Sequence, residues 1–170
     1  MISIFVGYYR QKFLKYLHSY ITSSTDLVYL LRKLHLQDNN THLATSDATS
    51  MYSNIEPLEG LETIKNYIEF YVHEVNEKFP TKLILKLLEL VMTNNIFQFG
   101  NTYWKQLIGT AMGTPCACIY AILFFAFYER THLQEKYKRN IITYVRAIDD
   151  ILIVWKPCDE AKNYNNFKDN

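Results

Sequence analysis

The sequence predicts an α+β fold in which helices pack on an antiparallel sheet. Of its 170 residues, 49% are hydrophobic and 15% aromatic, while glycine and proline are sparse, a composition typical of one packed domain and not of a disordered linker. Short runs of β-branched and aromatic residues alternate with longer stretches of helical periodicity. The resulting order is strand, helices, hairpin, helix and hairpin, which favours the α+β class.

Two helices are predicted within residues 8–36. The first carries aromatic and apolar residues at helical spacing, and Ser24, Thr25 and Asp26 can cap the second. We expect residues 1–40 to form a helical segment, 41–156 the folded core, and 157–170 a frayed polar tail.

The middle of the chain predicts one strand and two helices. His42–Asp47 has the pattern of a short strand that ends on a carboxylate. Pro57 is well placed near a helix start, because its missing N–H costs nothing there. The apolar stripe that follows continues to about Asn76, and Pro80 and Thr81 begin a second amphipathic helix.

The remaining elements are two hairpins and the helix between them. Residues 96–106 predict a hairpin with a tight turn at Gly100-Asn101. Residues 116–128 carry no charge but fall short of the ~20 needed to span a bilayer, so they predict a buried helix and no membrane segment. Residues 141–148 and 151–155 are two strands, expected in the core.

The net charge and the cysteines bear on nucleic-acid binding and on the redox environment of the protein. Eighteen Lys and Arg against 17 Asp and Glu leave a net charge of +1, without the basic surplus that phosphate binding usually requires. Any nucleic-acid surface is therefore local or lies outside this chain. Three cysteines without a CxxC pair indicate reduced structural thiols in an intracellular protein.

The most informative feature is the pair Asp149-Asp150 between two apolar strands. Adjacent aspartates often mark no more than a solvated turn. A tight turn on a packed hairpin, however, holds the two carboxylates close together, where they repel each other unless a cation neutralises them. Hard divalent cations prefer such oxygen ligands.

A third carboxylate is needed to complete a two-metal site, and Asp47 at the end of its strand is the candidate. By itself Asp47 would be interpreted as a cap or turn residue. With the doublet it supplies the oxygen set for two-metal phosphoryl transfer.

The segment from Gly109 to Pro115 contains two glycines. Such a loop can be an ordinary connection, but its glycines also let the backbone approach a base pair or sugar without a Cβ in the way. Its position between Asp47 and the doublet favours the second interpretation.

Three ordered segments resemble the palm motifs of reverse transcriptases, most closely those of Penelope-like retroelements. They are TSDATSMYSNI (45–55), GTAMGTP (109–115) and RAIDD (146–150). The related group has D-V-x-S-x-Y-T-N-I, G-T-A-M-G-T and R-Y-I-D-D in this order, so Ala147 stands where tyrosine is usual. The resemblance covers about residues 27–155 and implies a polymerase palm-like sheet packed on helices, part of a truncated right-hand polymerase.

The resemblance also implies the chemistry of the carboxylates. Asp47, Asp149 and Asp150 would be catalytic and would hold two Mg²⁺ or Mn²⁺ ions, with help from the Ala48 carbonyl.

A second group of residues would bind the substrates, an RNA template with a DNA primer and a deoxynucleoside triphosphate. Tyr52 would lie beneath the incoming sugar and exclude a 2′-hydroxyl. Gln106 and the loop residues Gly109, Thr110 and Gly113 would contact the template and the nascent base pair.

The expected function is that of a palm fragment of an RNA-directed DNA polymerase, inside the cell and compatible with the nucleus. Too few residues precede Asp47 for the usual fingers, and too few follow Trp155 for a thumb, so we expect the isolated chain to be inactive. The alternatives are a catalytically silent retroelement remnant that acts as an interaction module, and a palm-like nucleotide cyclase. The expected tyrosine gate and glycine loop argue against the cyclase.

Overall fold

The computed structural model describes residues 1–36, 40–74, 79–110 and 112–157, which form helices and antiparallel strands in the predicted order. The helices are α1 (Ile2–Gln11), α2 (Ser24–Lys33), α3 (Pro57–Tyr71), α4 (Thr81–Thr93) and α5 (Ala117–Tyr128), with a short 3₁₀ turn at Leu14–Tyr16 and a π-helix at Glu129–Gln134. The strands are β1 (His42–Asp47), β2 (Ile96–Phe99), β3 (Thr102–Lys105), β4 (Ile141–Ala147) and β5 (Asp150–Trp155). The α+β class is confirmed.

The chain forms two compact units, each discontinuous in sequence. One, the helical unit, comprises the described residues of Met1–His18 and Thr49–Tyr128; the other, the sheet unit, comprises the described residues of 19–48 and 129–157. The boundaries at residues 40 and 156 expected from the sequence stay a prediction. Apart from Pro157, the expected polar tail lies outside the described residues.

The helical unit is built around the apolar faces of α1, α3, α4 and α5. Helix α5 is apolar on all sides and most of its residues are buried, as expected for residues 116–128. Fully buried side chains from all four helices form the core: Val6, Ile64, Ile68, Ile84, Leu88, Tyr120 and Leu123. Within the described residues, no helix is both long enough and apolar enough to cross a bilayer.

The N-terminal helix differs from its predicted position. It begins at Ile2 and ends at Gln11, and the chain then tightens into the 3₁₀ turn instead of continuing as an α-helix. Tertiary packing explains the difference, because Phe13 is fully buried and the ring of Tyr16 stacks on that of Tyr71 at 5.3 Å. The spacing of apolar residues in the sequence cannot predict these contacts, because they join residues that are distant along the chain.

The start of α2 and the end of α3 differ from their predicted positions. The N-cap of α2 is Ser23, one residue before the predicted capping residues, and its side chain accepts from the Asp26 amide at 3.2 Å. Helix α3 begins at Pro57 as predicted but ends at Tyr71, with Val72 as its C-cap, and not near Asn76 as expected. Residues 72–74 form a turn, and residues 75 and 76 lie outside the described residues.

The sheet unit contains a three-stranded antiparallel sheet in the order β1-β5-β4. Tyr144, Ile153 and Trp155 form its buried cluster, which is located in the half of the sheet away from the aspartates. The segment Ser19–Ile21 lies along β4, where the Arg146 amide donates to the Ser19 carbonyl at 2.7 Å. It covers an edge that would otherwise leave unpaired backbone groups.

The predicted hairpin of residues 96–106 is confirmed as the separate two-stranded sheet β2–β3 in the helical unit. Phe97 lies opposite Trp104, and all eight strand residues are exposed. Gly100 at the tip has a φ of 60°, as the tight turn requires.

Replacing Gly60 in α3 with alanine is expected to lower the free energy of unfolding. A Cβ at this position would lie 1.9 Å from the Tyr120 hydroxyl oxygen and 2.9 Å from Ile55 Cγ2. Overpacking of this kind costs about 1–3 kcal/mol, which urea unfolding can measure. The matched control is Gly7→Ala in α1, where the nearest atom would be 3.4 Å away. Because alanine favours a helix by up to about 1 kcal/mol, the control should be neutral or stabilising, and an equal loss in both variants would contradict this packing.

Candidate active site

The predicted carboxylates lie at one end of the sheet. Asp47 is the last residue of β1 and Asp150 the first of β5, and the two are directly opposed in the antiparallel register. Opposed residues of an antiparallel pair project to the same face, so these two carboxylates are neighbours. The Ala48 amide donates to the Asp149 carbonyl at 2.9 Å, which extends the pairing one step into the turn.

The side chains at this end of the sheet are suited to a hard cation in type but do not form a complete ligand set. Asp47 and Asp150 are exposed and Asp149 is half-buried. In the part of the chain that the structure describes, no three acidic, imidazole or thiol side chains form a group able to hold a metal ion. Binding of two metal ions therefore stays a prediction.

The turn that carries the aspartates has a strained backbone. Ala147 pairs with Asp150, so Ile148 and Asp149 are the two loop residues of the β4–β5 hairpin. Ile148 has a φ of 60°, a value that two-residue hairpins use at their first loop position and that glycine usually supplies. For a β-branched residue it is an outlier. The expectation that Ile148 packs in the core is wrong, because it is exposed in the turn.

A buried charged cluster lies next to this turn. Arg146 is fully buried, and its Nε donates to Oε1 of Glu129, which is itself buried. The Tyr144 hydroxyl donates to the same oxygen at 2.8 Å. The Nη1 group of Arg146 donates to the Ile148 carbonyl.

Burial dominates the electrostatics of this cluster. It raises the pKa of Glu129, whereas the Arg146 guanidinium and the Tyr144 hydroxyl oppose that shift. Burial and the neighbouring Glu129 carboxyl raise the pKa of Tyr144. Tyr144 therefore stays a neutral hydrogen-bond donor over the physiological range.

The first half of the loop at residues 109–115 is hydrogen-bonded to residues 52–55, which follow Asp47 in the sequence. Within the helical unit, the Thr110 amide donates to the Tyr52 carbonyl at 2.7 Å and the Gly109 amide donates to the Ile55 carbonyl at 2.9 Å. Thr110 is buried, and its hydroxyl lies 3.3 Å from the same Tyr52 oxygen. These hydrogen bonds hold the first half of the loop against residues 52–55 within the helical unit.

The other half of the loop is open. Met112 and Gly113 are exposed, and among the described residues, apart from the chain neighbours of Gly113, no heavy atom lies within 4 Å of the place where a Gly113 Cβ would be. Gln106 is half-buried, and its side-chain amide donates to the Ile108 carbonyl at 2.9 Å. Of the predicted template contacts, Gly113 is thus the most accessible, and Ala111 between the two halves lies outside the described residues.

The predicted site residues are divided between the two units. Asp47, Ala48, Asp149 and Asp150 belong to the sheet unit, while Tyr52, Gln106, Gly109, Thr110 and Gly113 belong to the helical unit.

Helices and a three-stranded antiparallel sheet with aspartates at one end are the fold of this chain, and solved structures of telomerase share that fold. Telomerase from Candida albicans, solved with a fragment of telomeric RNA, matches with a TM-score of 0.67 at 13% identity over 99% of this chain and 32% of that one. Telomerase from Candida tropicalis, also solved with a fragment of telomeric RNA, matches with a TM-score of 0.67 at 12% identity, over 95% of this chain and 30% of that one. Apo telomerase from C. tropicalis, truncated from its C-terminal domain, matches with a TM-score of 0.59 at 14% identity, over 96% of this chain and 35% of that one.

These likenesses establish the fold, which is that of a reverse transcriptase. The chain spans about a third of the length of the telomerase chains that it matches. No protein-family model matches the sequence, and a search of curated proteins finds no relative. The specific likeness to Penelope-like elements stays a prediction.

Sequence reasoning assigned no role to Glu129 or Arg146. A signal was present, since each is a charge next to or within an apolar run: Glu129 directly follows residues 116–128, and Arg146 interrupts strand β4. Charges in such places are rarely buried unless they are paired. The two opposite charges could have been proposed as partners on that ground.

Replacing Gly109 with alanine is expected to destabilise the protein more than replacing Gly113. Both have positive φ, 82° and 95°, so both variants incur left-handed backbone strain of about 1–2 kcal/mol. A Cβ at Gly109 would also lie 2.8 Å from Ser53 Cα and 2.9 Å from the Tyr52 carbonyl oxygen, a clash worth about 1–3 kcal/mol more. Urea unfolding of both variants measures the difference. Equal destabilisation would mean that the loop is not held against this segment.

Proposed function

We propose that this chain is part of the catalytic palm of an RNA-directed DNA polymerase of the Penelope-like type. The observation that carries the proposal is the register of β1 and β5, which sets Asp47 opposite Asp150, next to the turn formed by Ile148 and Asp149. The reverse-transcriptase fold supports it.

In this proposal Asp47, Asp149 and Asp150, with the Ala48 carbonyl, would hold two Mg²⁺ ions. The chemistry that bound ions would supply is a lower pKa for the attacking primer hydroxyl and stabilisation of the leaving oxygen. The carboxylates themselves fix the geometry, because they are anchored by paired strands and a hydrogen-bonded turn.

Residues of the helical unit would contact the substrates. Tyr52 would lie beneath the sugar of the incoming deoxynucleotide and exclude a 2′-hydroxyl, and its carbonyl accepts from the Thr110 amide at 2.7 Å. The exposed Gly113 allows a template or base pair to approach the backbone closely, since no side chain intervenes. RNA template, DNA primer and nucleoside triphosphate are the proposed partners.

The second candidate is a silent remnant that keeps the fold as an interaction module. Two observations favour it: the incomplete ligand group among the described side chains, and Ala147 in place of the usual tyrosine. A remnant of this kind has no requirement for a cation site, so metal binding separates the two candidates.

Mn²⁺ is expected to raise the melting temperature of the wild-type chain and not that of Asp149→Asn. A ligand at one hundred times its Kd stabilises by about 2.7 kcal/mol, which corresponds to roughly 5–10 °C for a chain of this length. Scanning calorimetry with and without Mn²⁺ measures the shift. Glu89→Gln, which removes an exposed carboxylate from α4, is the matched control and should keep it. No shift in the wild type would favour the silent remnant.

Primer extension by this chain alone is expected to be absent. Holding a primer–template requires many Lys and Arg contacts to phosphates, and the net charge here is +1. An assay with oligo(dT) on poly(rA), in Mn²⁺, against a complete reverse transcriptase as positive control, tests this. Processive synthesis would show that the chain needs no further domain.

A further inference from the structure

Arg146 contacts the strained residue of the aspartate turn. Its guanidinium donates through Nη1 to the carbonyl of Ile148, the residue whose φ is 60°. Backbone outliers of this kind persist only where surrounding groups hold them in place. The contact falls on the residue directly before Asp149.

A hydrogen bond to the Ile148 carbonyl can fix the orientation of the peptide group that joins Ile148 to Asp149. The peptide group is planar, so the direction of this oxygen also sets the direction of the Asp149 N–H and fixes the start of the Asp149 backbone. The Asp149 carbonyl then accepts from the Ala48 amide at 2.9 Å. The turn is therefore held on both sides of Asp149.

Arg146 is in turn held rigidly. Its amide donates to the Ser19 carbonyl at 2.7 Å, and its carbonyl accepts from the Ile21 amide at 3.0 Å. Its side chain is fully buried and bound through Nε to Glu129. A guanidinium with this many contacts keeps one orientation, and its planar fork can serve two acceptors at once.

We infer that Arg146, anchored by the buried carboxylate of Glu129, is a positioning residue that fixes the backbone of the Asp149-Asp150 turn. Glu129 orients the guanidinium and compensates its charge, and Arg146 transmits that orientation to the Ile148 carbonyl. The consequence for metal binding rests on the function proposed above, whereas the geometry of the turn does not.

The competing explanation is a buried ion pair that only stabilises the sheet unit. A general loss of stability would accelerate exchange through global unfolding at both ends of the β4–β5 hairpin, whereas loss of positioning would act at the turn. The chain offers a reporter at each end. The Ala48 amide, bound to the Asp149 carbonyl, reports the turn, and the Lys156 amide, bound to the Asn140 carbonyl at 2.8 Å, reports the opposite end.

Arg146→Lys is the first variant, because lysine keeps the charge for Glu129 but lacks the second arm that reaches the Ile148 carbonyl. Amide hydrogen exchange by NMR should become about tenfold or more faster at Ala48, while Lys156 changes no more than about twofold. Tyr144→Phe is the matched control, since it removes a hydrogen bond to the same Glu129 oxygen without touching the turn. It should leave the ratio of the two rates unchanged.

The Ile148→Gly background supplies a rescue. Glycine adopts positive φ without strain, so the turn depends less on Arg146 and the effect of Arg146→Lys on the Ala48 amide should shrink. If Arg146→Lys does not fold, Glu129→Gln replaces it, because it keeps Arg146 but removes its anchoring charge. A parallel rise at Ala48 and Lys156, or an unchanged Ala48 rate, in the folded variant would overturn the inference.

Mn²⁺ affinity, measured by electron paramagnetic resonance on the same variants, is a separate readout. We expect Arg146→Lys to weaken Mn²⁺ binding about tenfold and Tyr144→Phe to leave it unchanged, in the range known for residues that orient metal ligands. If the wild type binds no Mn²⁺, the proposed function fails, while the exchange rates still decide whether Arg146 positions the turn. If Mn²⁺ binds equally well to Arg146→Lys and wild type, positioning by Arg146 has no part in metal binding and that consequence is withdrawn.

Discussion

The register of the central strand β5 is the constraint on which the candidate site depends. This strand pairs with β1 and β4, so Asp150 lies opposite both Asp47 and Ala147. A slip of one residue would move every side chain of a strand to the other face and separate Asp47 from Asp150. The register is fixed at the other end of the strand, where Ile153 and Trp155 pack in a buried cluster.

Strand β5 thus has a buried end, where Ile153 and Trp155 stabilise the sheet, and an exposed end that carries Asp150. The carboxylates are placed where water can screen their repulsion, and the aspartate turn adds a strained φ at Ile148. Such local conflicts with sequence preference are expected at functional sites.

The features that the sequence predicts correctly are those that depend on near neighbours. The turn residues Gly100-Asn101 predict the hairpin of residues 96–106, and residues 42–47 predict a short strand that ends on Asp47. The features it misses depend on distant partners. The pairing of Glu129 with Arg146 joins residues 17 apart, and the exposure of Ile148 follows from a turn geometry that isoleucine normally avoids. The close packing of Gly109 on Ser53 is likewise invisible to local periodicity.

Stability alone is a poor explanation for the buried Glu129–Arg146 pair. Replacing a buried ion pair with well-packed apolar residues is often neutral or stabilising, because desolvating two charges offsets much of their attraction. Here Glu129 Oε2 has no hydrogen-bond partner among the described atoms, which adds to the cost. An apolar pair could fill the same space, but it could not donate to the Ile148 carbonyl. The directional contact with the aspartate turn is what distinguishes this pair from a hydrophobic substitute.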